Sequence, residues 1–476
     1  MGQPPRRRNT GRRSKKDAGR SGSTPPESTP RAAALSILNT VSDDGRPLDD
    51  VLASFFETAP PFDRRDVNLI HALVFGVLRH RATLDHLIGH FSKRPLRKID
   101  PGVRNILRIA IFQIRFMDRI PDAAAVNTAV DITKSRAPRW VAGFVNGLLR
   151  AAVRAGGHAS LPDMENDPAA ALAVEKSFPE WLVRRWLARW GAETTARLCD
   201  AVNRIPPITL RVNPLRTDRR RLMAALSPET ASAEPTPFSP DGVMVVGLSA
   251  AIDELSAFRQ GLFQVQDEAA QLVSHLLGPK PGETVLDACA GLGGKTGHLA
   301  GLMQNQGRIV ALDRYPRKLS RLNQEMKRLG ASIVSLLCHD LEAPPPFRPA
   351  AFDRILLDAP CSGLGVLGRN PDGKWSSAKR DLAGYGRRQL RFLARLAPLV
   401  KPSGILGYAV CSMEPEEGPD VAAAFLDAHP EFAMQRDTGH LPAGARALAE
   451  EDGSLRTLPH RHRMDGFFSV CFVRKI

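Results

Sequence analysis

The chain has 476 residues, a formal net charge of +16 and only 6% aromatic residues, with a pI near 10.0. That length exceeds what one hydrophobic core usually supports, so two or three domains are expected. No apolar run is long enough to cross a bilayer and no hydrophobic segment follows the basic N-terminus, which excludes a membrane or secreted class and points to the cytoplasm.

The excess of Lys and Arg points to a polyanionic partner, because clustered cations release counterions from phosphates. Few aromatics argue against binding of single strands mainly by base stacking. The six cysteines, Cys199, Cys289, Cys338, Cys361, Cys411 and Cys471, form no C-x-x-C pair, so neither a disulfide framework nor a metal site is indicated.

Residues 1–30 carry Arg6-Arg7-Arg8, Arg12-Arg13 and Lys15-Lys16 with almost nothing to bury; they read as a disordered basic tail, either reaching for phosphate or solubilising the chain. Over 31–156 the apolar residues fall at helical spacing, as in Val67, Ile70, Val74, Val77 and Leu78, then Val103, Ile106, Leu107, Ala110 and Ile111. An all-helical bundle follows.

Residues 157–262 combine helices around Trp181, Trp186 and Trp190, expected in a core, with strands at 208–213 and 242–246 and a basic helix from Asp218, making a small α/β module. From 263 to 476, strands at 284–288, 308–312, 332–338, 354–357, 405–410 and 467–473 alternate with helices. That is the pattern of a parallel sheet covered on both faces, with ligand beyond the carboxyl ends of the strands.

The first of these strands runs into Asp287-Ala-Cys-Ala-Gly-Leu-Gly-Gly-Lys-Thr296 and then a helix. Gly291, Gly293 and Gly294 allow a tight turn and close approach of a nucleotide-like cofactor to the helix N-terminus. Gly294-Lys295-Thr296 resembles the end of a Walker A loop, but the glycine required five positions earlier is Cys289. The second strand ends in Asp313, placed to bond ribose hydroxyls; the third ends in Asp340 and the fourth in Asp358. A single such acid is usually a helix cap, whereas four at one rim favour a binding site.

Cys361 follows the fourth strand and Cys411 the fifth, so both thiols are expected in the same cleft, where a deprotonated thiol is a nucleophile. Cys199, Cys338 and Cys471 read as core filler. At Asp358-Ala-Pro-Cys-Ser-Gly, Asn370-Pro-Asp-Gly-Lys-Trp375, Cys411-Ser with its following Pro-Glu-Glu, and Asp465-Gly-Phe-Phe468, the chain resembles the bacterial 16S ribosomal RNA cytosine-5 methyltransferase family called RsmB, Sun or Fmu. Ala125-Val-Asn-Thr-Ala-Val130 and Gly143-Phe-Val-Asn-Gly-Leu-Leu-Arg150 resemble the NusB-like RNA-binding domain of that family. The resemblance covers nearly everything but the tail. Three places depart from the family pattern: Gly291-Leu292 stands for Ala-Pro, Ala409-Val-Cys411 for Ala-Thr-Cys, and Gly368-Arg-Asn370 for a more basic run in a loop expected to touch RNA.

The resemblance implies a Rossmann-like S-adenosylmethionine-dependent domain over 263–476 and an RNA substrate, 16S ribosomal RNA. It assigns Cys411 to attack on carbon 6 of cytosine, Cys361 to release, and Asp358 to positioning. The cofactor is assigned to Cys289, Ala290, Gly291, Leu292, Gly293, Gly294, Lys295, Asp313, Asp340 and Asp358. No metal is required, since a sulfonium already carries an activated methyl. Spacing alone leaves the nucleophile open between Cys411 and Cys361, because DNA cytosine-5 methyltransferases attack from the Pro-Cys motif, here Pro360-Cys361. The competing readings are a non-catalytic RNA-binding assembly factor with the same fold and a nucleoside triphosphatase; both rim cysteines argue against the first and Cys289 against the second.

Overall fold

The computed structural model describes residues 29–44, 46–376 and 381–476. Apart from Thr29 and Pro30, which lead into the first helix, the tail expected over 1–30 lies outside the described residues. Among the described residues, seven α-helices from Pro30–Asp44 to Arg139–Arg154 form the N-terminal part. The helix Pro101–Phe116 is nearly all buried at its centre, where Ile106, Leu107, Ala110 and Ile111 meet Ile70, Val74 and Val77 of Arg64–Arg79. Asp63 and Asp100 cap these two helices by accepting from Asp66 N and Val103 N. At Gly76 a Cβ would stand 2.0 Å from the Phe112 ring, so only glycine lets the helices approach this closely.

The middle part holds the helix Glu180–Asn203, bent at Gly191, and a four-stranded antiparallel sheet. Its strands are β1 (Ile208–Val212), β2 (Thr230–Pro235), β3 (Gly242–Leu248) and β4 (Phe263–Val265), in the order β2-β3-β1-β4. Just past the boundary expected at 262/263, β4 pairs with β1, Leu210 opposite Val265. A strand of three residues is too short to show alternation in sequence. Trp186 is fully buried, as expected.

In the C-terminal part, β5 (Thr284–Asp287), β6 (Arg308–Asp313), β7 (Val334–Cys338), β8 (Phe352–Asp358) and β9 (Val400–Val410) are parallel. The strands β10 (Phe432–Met434), β11 (Leu455–Thr457) and β12 (Phe467–Arg474) complete a sheet of order β10-β12-β9-β8-β5-β6-β7, with β11 on β12. The sheet is mixed, not wholly parallel: β12 runs antiparallel to β9, Phe468 opposite Val410. Direction leaves no mark in an apolar run, so β12 read like its neighbours. Strand order reverses at β5, which opens a crevice above the carboxyl ends of β5, β6 and β8.

Buried cations join the parts. Lys374 is 1% exposed and donates to Arg79 O at 3.2 Å, Ser177 O at 3.2 Å and Asn203 Oδ1 at 2.6 Å, its ammonium 3.7 Å from the centre of the Phe178 ring. Burial pushes this amine well below its usual range. Beside it Trp375 Nε1 donates to Leu78 O at 2.6 Å, and Arg79 reaches back to Gly368 O at 2.8 Å. The loop 368–375, expected at the RNA, is thus packed against the helical part.

Lys374→Met keeps the apolar stem but strips three buried acceptors of their donor, so unfolding in urea should shift to a lower midpoint by the equivalent of about 3 kcal/mol. An unchanged midpoint would show that the ammonium does not hold this seam.

Candidate active site

From Asp287 the chain turns through Gly291 and Gly293, both left-handed at φ 57° and 85°, into the helix Gly294–Leu302. A Cβ at Gly293 would also meet Leu322 Cγ at 2.7 Å. Asp313, at the end of β6, pins the turn from across the crevice: Oδ2 accepts from Gly291 N at 3.0 Å and Oδ1 from Tyr315 N at 2.8 Å. Between them lies a cleft of about 250 Å³ lined by Cys289, Gly291, Asp313, Asp340 and Asp358 among the expected residues. Tyr315, Lys318, Arg388 and Phe392 also line it and had no signal in the sequence, since their positions follow from helices packed over the rim.

The remaining expected residues stand apart from this cleft. Ala290 is buried, Leu292 is 53% exposed, and Gly293 and Gly294 start the helix. Lys295 bonds Asp358 Oδ2 at 2.6 Å with its ammonium 5.4 Å from the centre of the Phe467 ring, placing Asp358 at the junction of cleft and thiols. At the foot of the turn, Asp287 Oδ2 accepts from Thr296 Oγ1 at 2.7 Å, the Cys289 backbone N–H also favours the ionised carboxyl, and Oδ1 is buried with no close hydrogen-bond partner among the described residues. Burial raises this carboxyl to about 7, helped by Asp358. Three carboxylates at the rim of one cleft suit a ligand with hydroxyls and a positive charge.

The two thiols come together because β8 and β9 are adjacent and parallel, Asp358 opposite Ala409. Cys361 Sγ and Cys411 Sγ lie 3.1 Å apart. The contact with Cys411, then burial, then the nearby Glu417 charge hold the Cys361 thiol well above its usual range, so it keeps its proton at neutral pH. The other thiols differ from expectation in one case. Cys199 and Cys471 are buried filler, both pushed up to about 12 by burial, whereas Cys338 is exposed at the end of an edge strand.

Glu417 is a functional residue that the sequence left without a role. It is 0% exposed, and its carboxylate accepts from Ser362 N at 2.6 Å, Ser362 Oγ at 2.5 Å and Ser412 Oγ at 2.6 Å. Those serines directly follow the two cysteines. The adjoining Glu414 accepts from Trp186 Nε1 at 2.9 Å, and Arg185 pairs with Glu414 and Glu416, so the long helix of the middle part grips the loop behind Cys411. Gly365 N bonds Cys411 O at 3.0 Å and Gly466 N bonds Gly365 O at 2.8 Å. A side chain at Gly365 would strike Gly466 O, and one at Gly466 would meet Met413 Cγ at 2.6 Å, which explains both glycines.

Arg211 of β1 is fully buried and reaches Gly294 O, Gln266 Oε1 and, at 2.7 Å, Gln264 Oε1, tying the small sheet to the cofactor turn. Behind it Asp241 Oδ2 accepts from His275 Nε2 at 2.9 Å and His298 Nε2 at 3.1 Å, a metal-capable trio. Burial, then the Arg211 charge, lower His298 to about 3, and the same guanidinium opposes a dication there.

Comparison with known proteins places this geometry. The model of the family described as 16S rRNA methyltransferase RsmB/F matches residues 274–473, that of the NusB family 28–154, and that of the RsmF/B-like ferredoxin-like domain 178–249. The chain is 39% identical over 412 residues to the probable ribosomal RNA small subunit methyltransferase B of Bacillus subtilis (strain 168), covering 86% of this chain and 90% of that one. It is 34% identical to ribosomal RNA small subunit methyltransferase B of Pseudomonas putida over 94% and 98% of the two chains. The crystal structure of PH0851 superposes with a TM-score of 0.78 at 28% identity, over 94% of this chain and 99% of that one. The chain belongs to the RsmB/F family of S-adenosylmethionine-dependent methyltransferases, with a NusB domain and a ferredoxin-like module ahead of the methyltransferase fold.

Proposed function

We propose that this chain methylates carbon 5 of a cytosine in 16S ribosomal RNA in the cytoplasm, with Cys411 as the attacking thiol. The observation that carries the reading is the pair of sulfurs 3.1 Å apart at the ends of β8 and β9, beside an acid-lined cleft. The division 31–156, 157–262 and 263–476 then separates RNA binding from chemistry, with β4 reaching back into the module.

Cofactor binding is assigned to the turn from Cys289 to Lys295, of which Cys289 and Gly291 line the cleft, to Asp313 at the ribose, Asp340 near the adenine and Asp358 toward the methionine end. S-adenosylmethionine supplies a methyl already activated on a sulfonium. Carbon 5 of cytosine is a poor nucleophile, and covalent addition removes that obstacle. The Cys411 thiolate forms a bond to carbon 6, and the electron pair of the 5,6 double bond makes carbon 5 able to take the methyl. Transfer of the carbon 5 proton to solvent water leaves its electron pair to restore the double bond, which expels the thiolate. Cys361, holding its proton against Cys411, can donate to that sulfur and stands at the point of release. The target base must leave any helical stack for both faces to be reached.

Asp313→Ala should weaken S-adenosylmethionine binding by about 1.5–3 kcal/mol in calorimetry, with RNA affinity unchanged. Wild-type cofactor affinity would remove Asp313 from the site. Cys411→Ala should lose both methylation and any covalent adduct, whereas Cys361→Ala should attack, methylate and stall, leaving a protein–RNA band on denaturing gels. Adduct in Cys411→Ala with none in Cys361→Ala would exchange the two roles. Glu417→Ala should lower kcat by about tenfold or more with KM for the cofactor unchanged, and Glu417→Gln, which still accepts from the serines, should recover part of the loss. Equal kcat in all three chains would show that the tie does not set the thiol geometry.

A further inference from the structure

A second cleft, of about 470 Å³, opens where the middle and C-terminal parts meet, and the reaction described above makes no use of it. Its walls include Pro206, Pro207, Met244 and Met464, with Ile205, 82% exposed, at its edge. Gly365 also lines it. Because Gly365 N bonds Cys411 O and Gly466 N bonds Gly365 O, a single layer of backbone separates this cleft from the strand end that carries Cys411.

Three carboxyls line it, and two are taken up within the protein: Glu268 accepts from Phe238 N and Ser239 N, and Asp267 from Ala269 N and Asp465 N. Arg369 bridges Asp267 at 2.7 Å and Asp465 at 3.0 Å. That bridge uses Asp465 Oδ2 only; Oδ1 has no hydrogen-bond donor among the described residues. Burial, then Asp267, push the Asp465 carboxyl up to about 7 against the Arg369 charge, so near neutral pH it can either donate or accept. Arg204 and Arg463 line the same cleft, are exposed, and make no side-chain hydrogen bond or ion pair among the described residues. Arg463 further holds a left-handed φ of 59°, uncommon for a residue with a side chain.

Largely apolar walls, one carboxyl oxygen left free among three acids inside, and free guanidinium groups outside meet the needs of a nucleotide: a base to stack and read by its edge, a phosphate to neutralise. An apolar peptide would leave both arginines without a counter-charge. We propose that this cleft receives the base of the nucleotide adjoining the target cytosine in the RNA chain, with its phosphate at Arg204 and Arg463. The inference rests on the methyltransferase reading above.

The test uses the full chain, 16S ribosomal RNA and S-adenosylmethionine. With Met244 replaced by the photoreactive p-benzoylphenylalanine, irradiation should join the protein to the nucleotide next to the methylated cytosine. The double variant I205D/R463G, whose changes fall on exposed side chains and whose glycine accepts the left-handed backbone, should raise KM for RNA by about tenfold or more while S-adenosylmethionine affinity stays at the wild-type value. Crosslinks to distant RNA or to protein, or an unchanged KM in a chain that still methylates, would overturn this inference and leave the functional reading intact. Absence of 5-methylcytosine with the wild-type chain would remove both.

Discussion

The buried Glu417 carboxylate is the joint on which the site depends. An ionised group with no exposure is strongly destabilising unless its oxygens are matched by donors, and here the donors come from the residues that follow each cysteine. The cost of burying the charge therefore acts as a geometric constraint: the carboxylate is satisfied only while both loops are in place. The Tyr408 hydroxyl of β9, with one proton to give, lies between Glu417 O and, at 2.9 Å, Gln389 Oε1, so the joint is also held to the sheet beneath it. The close approach of the two sulfurs follows from this arrangement, and their mutual contact then raises Cys361.

The same logic recurs at larger scale. Arg211 holds the small sheet to the cofactor turn, Lys374 holds the helical part to the loop after the Pro-Cys motif, and Arg369 holds that loop to Asp267 and Asp465. Arg211 and Lys374 are buried and Arg369 is half-buried, and the donors of each are taken up by carbonyls, amides or carboxylates from another part of the chain. Apolar contact tolerates sliding, whereas a buried cation with named partners does not. The parts are thus registered against one another, and the register runs into the cofactor turn at Gly294 and the cysteine loop at Gly365.

Much of this was legible in the sequence. The rim acids Asp313, Asp340 and Asp358 could be placed because a strand followed by an acid and a helix is a local pattern. The two cysteines could be brought together because strand ends share an edge of the sheet. The antiparallel course of β12, the three-residue strands β4, β10 and β11, and the turn of Lys295 away from the cleft toward Asp358 were hidden, since each is decided by long-range pairing. The Pro-Glu-Glu and Asn-Pro-Asp-Gly-Lys-Trp runs were visible as patterns but silent about purpose. Their side chains act on residues far away in sequence, as with Lys374 and Arg79.

The seam around Lys374 and Trp375 also bears on how one cytosine is chosen among many. A helical part hung on a flexible tether would sweep a volume and offer the thiols every accessible base within it. Docked through Trp375 on Leu78 O and Arg79 on Gly368 O, it cannot swing freely. Under the function proposed above, with the helical part gripping RNA and Cys411 attacking, the chain works as a ruler: Cys411 meets the nucleotide lying at one set distance and bearing from that grip. Selection by measured span needs few contacts to the bases themselves.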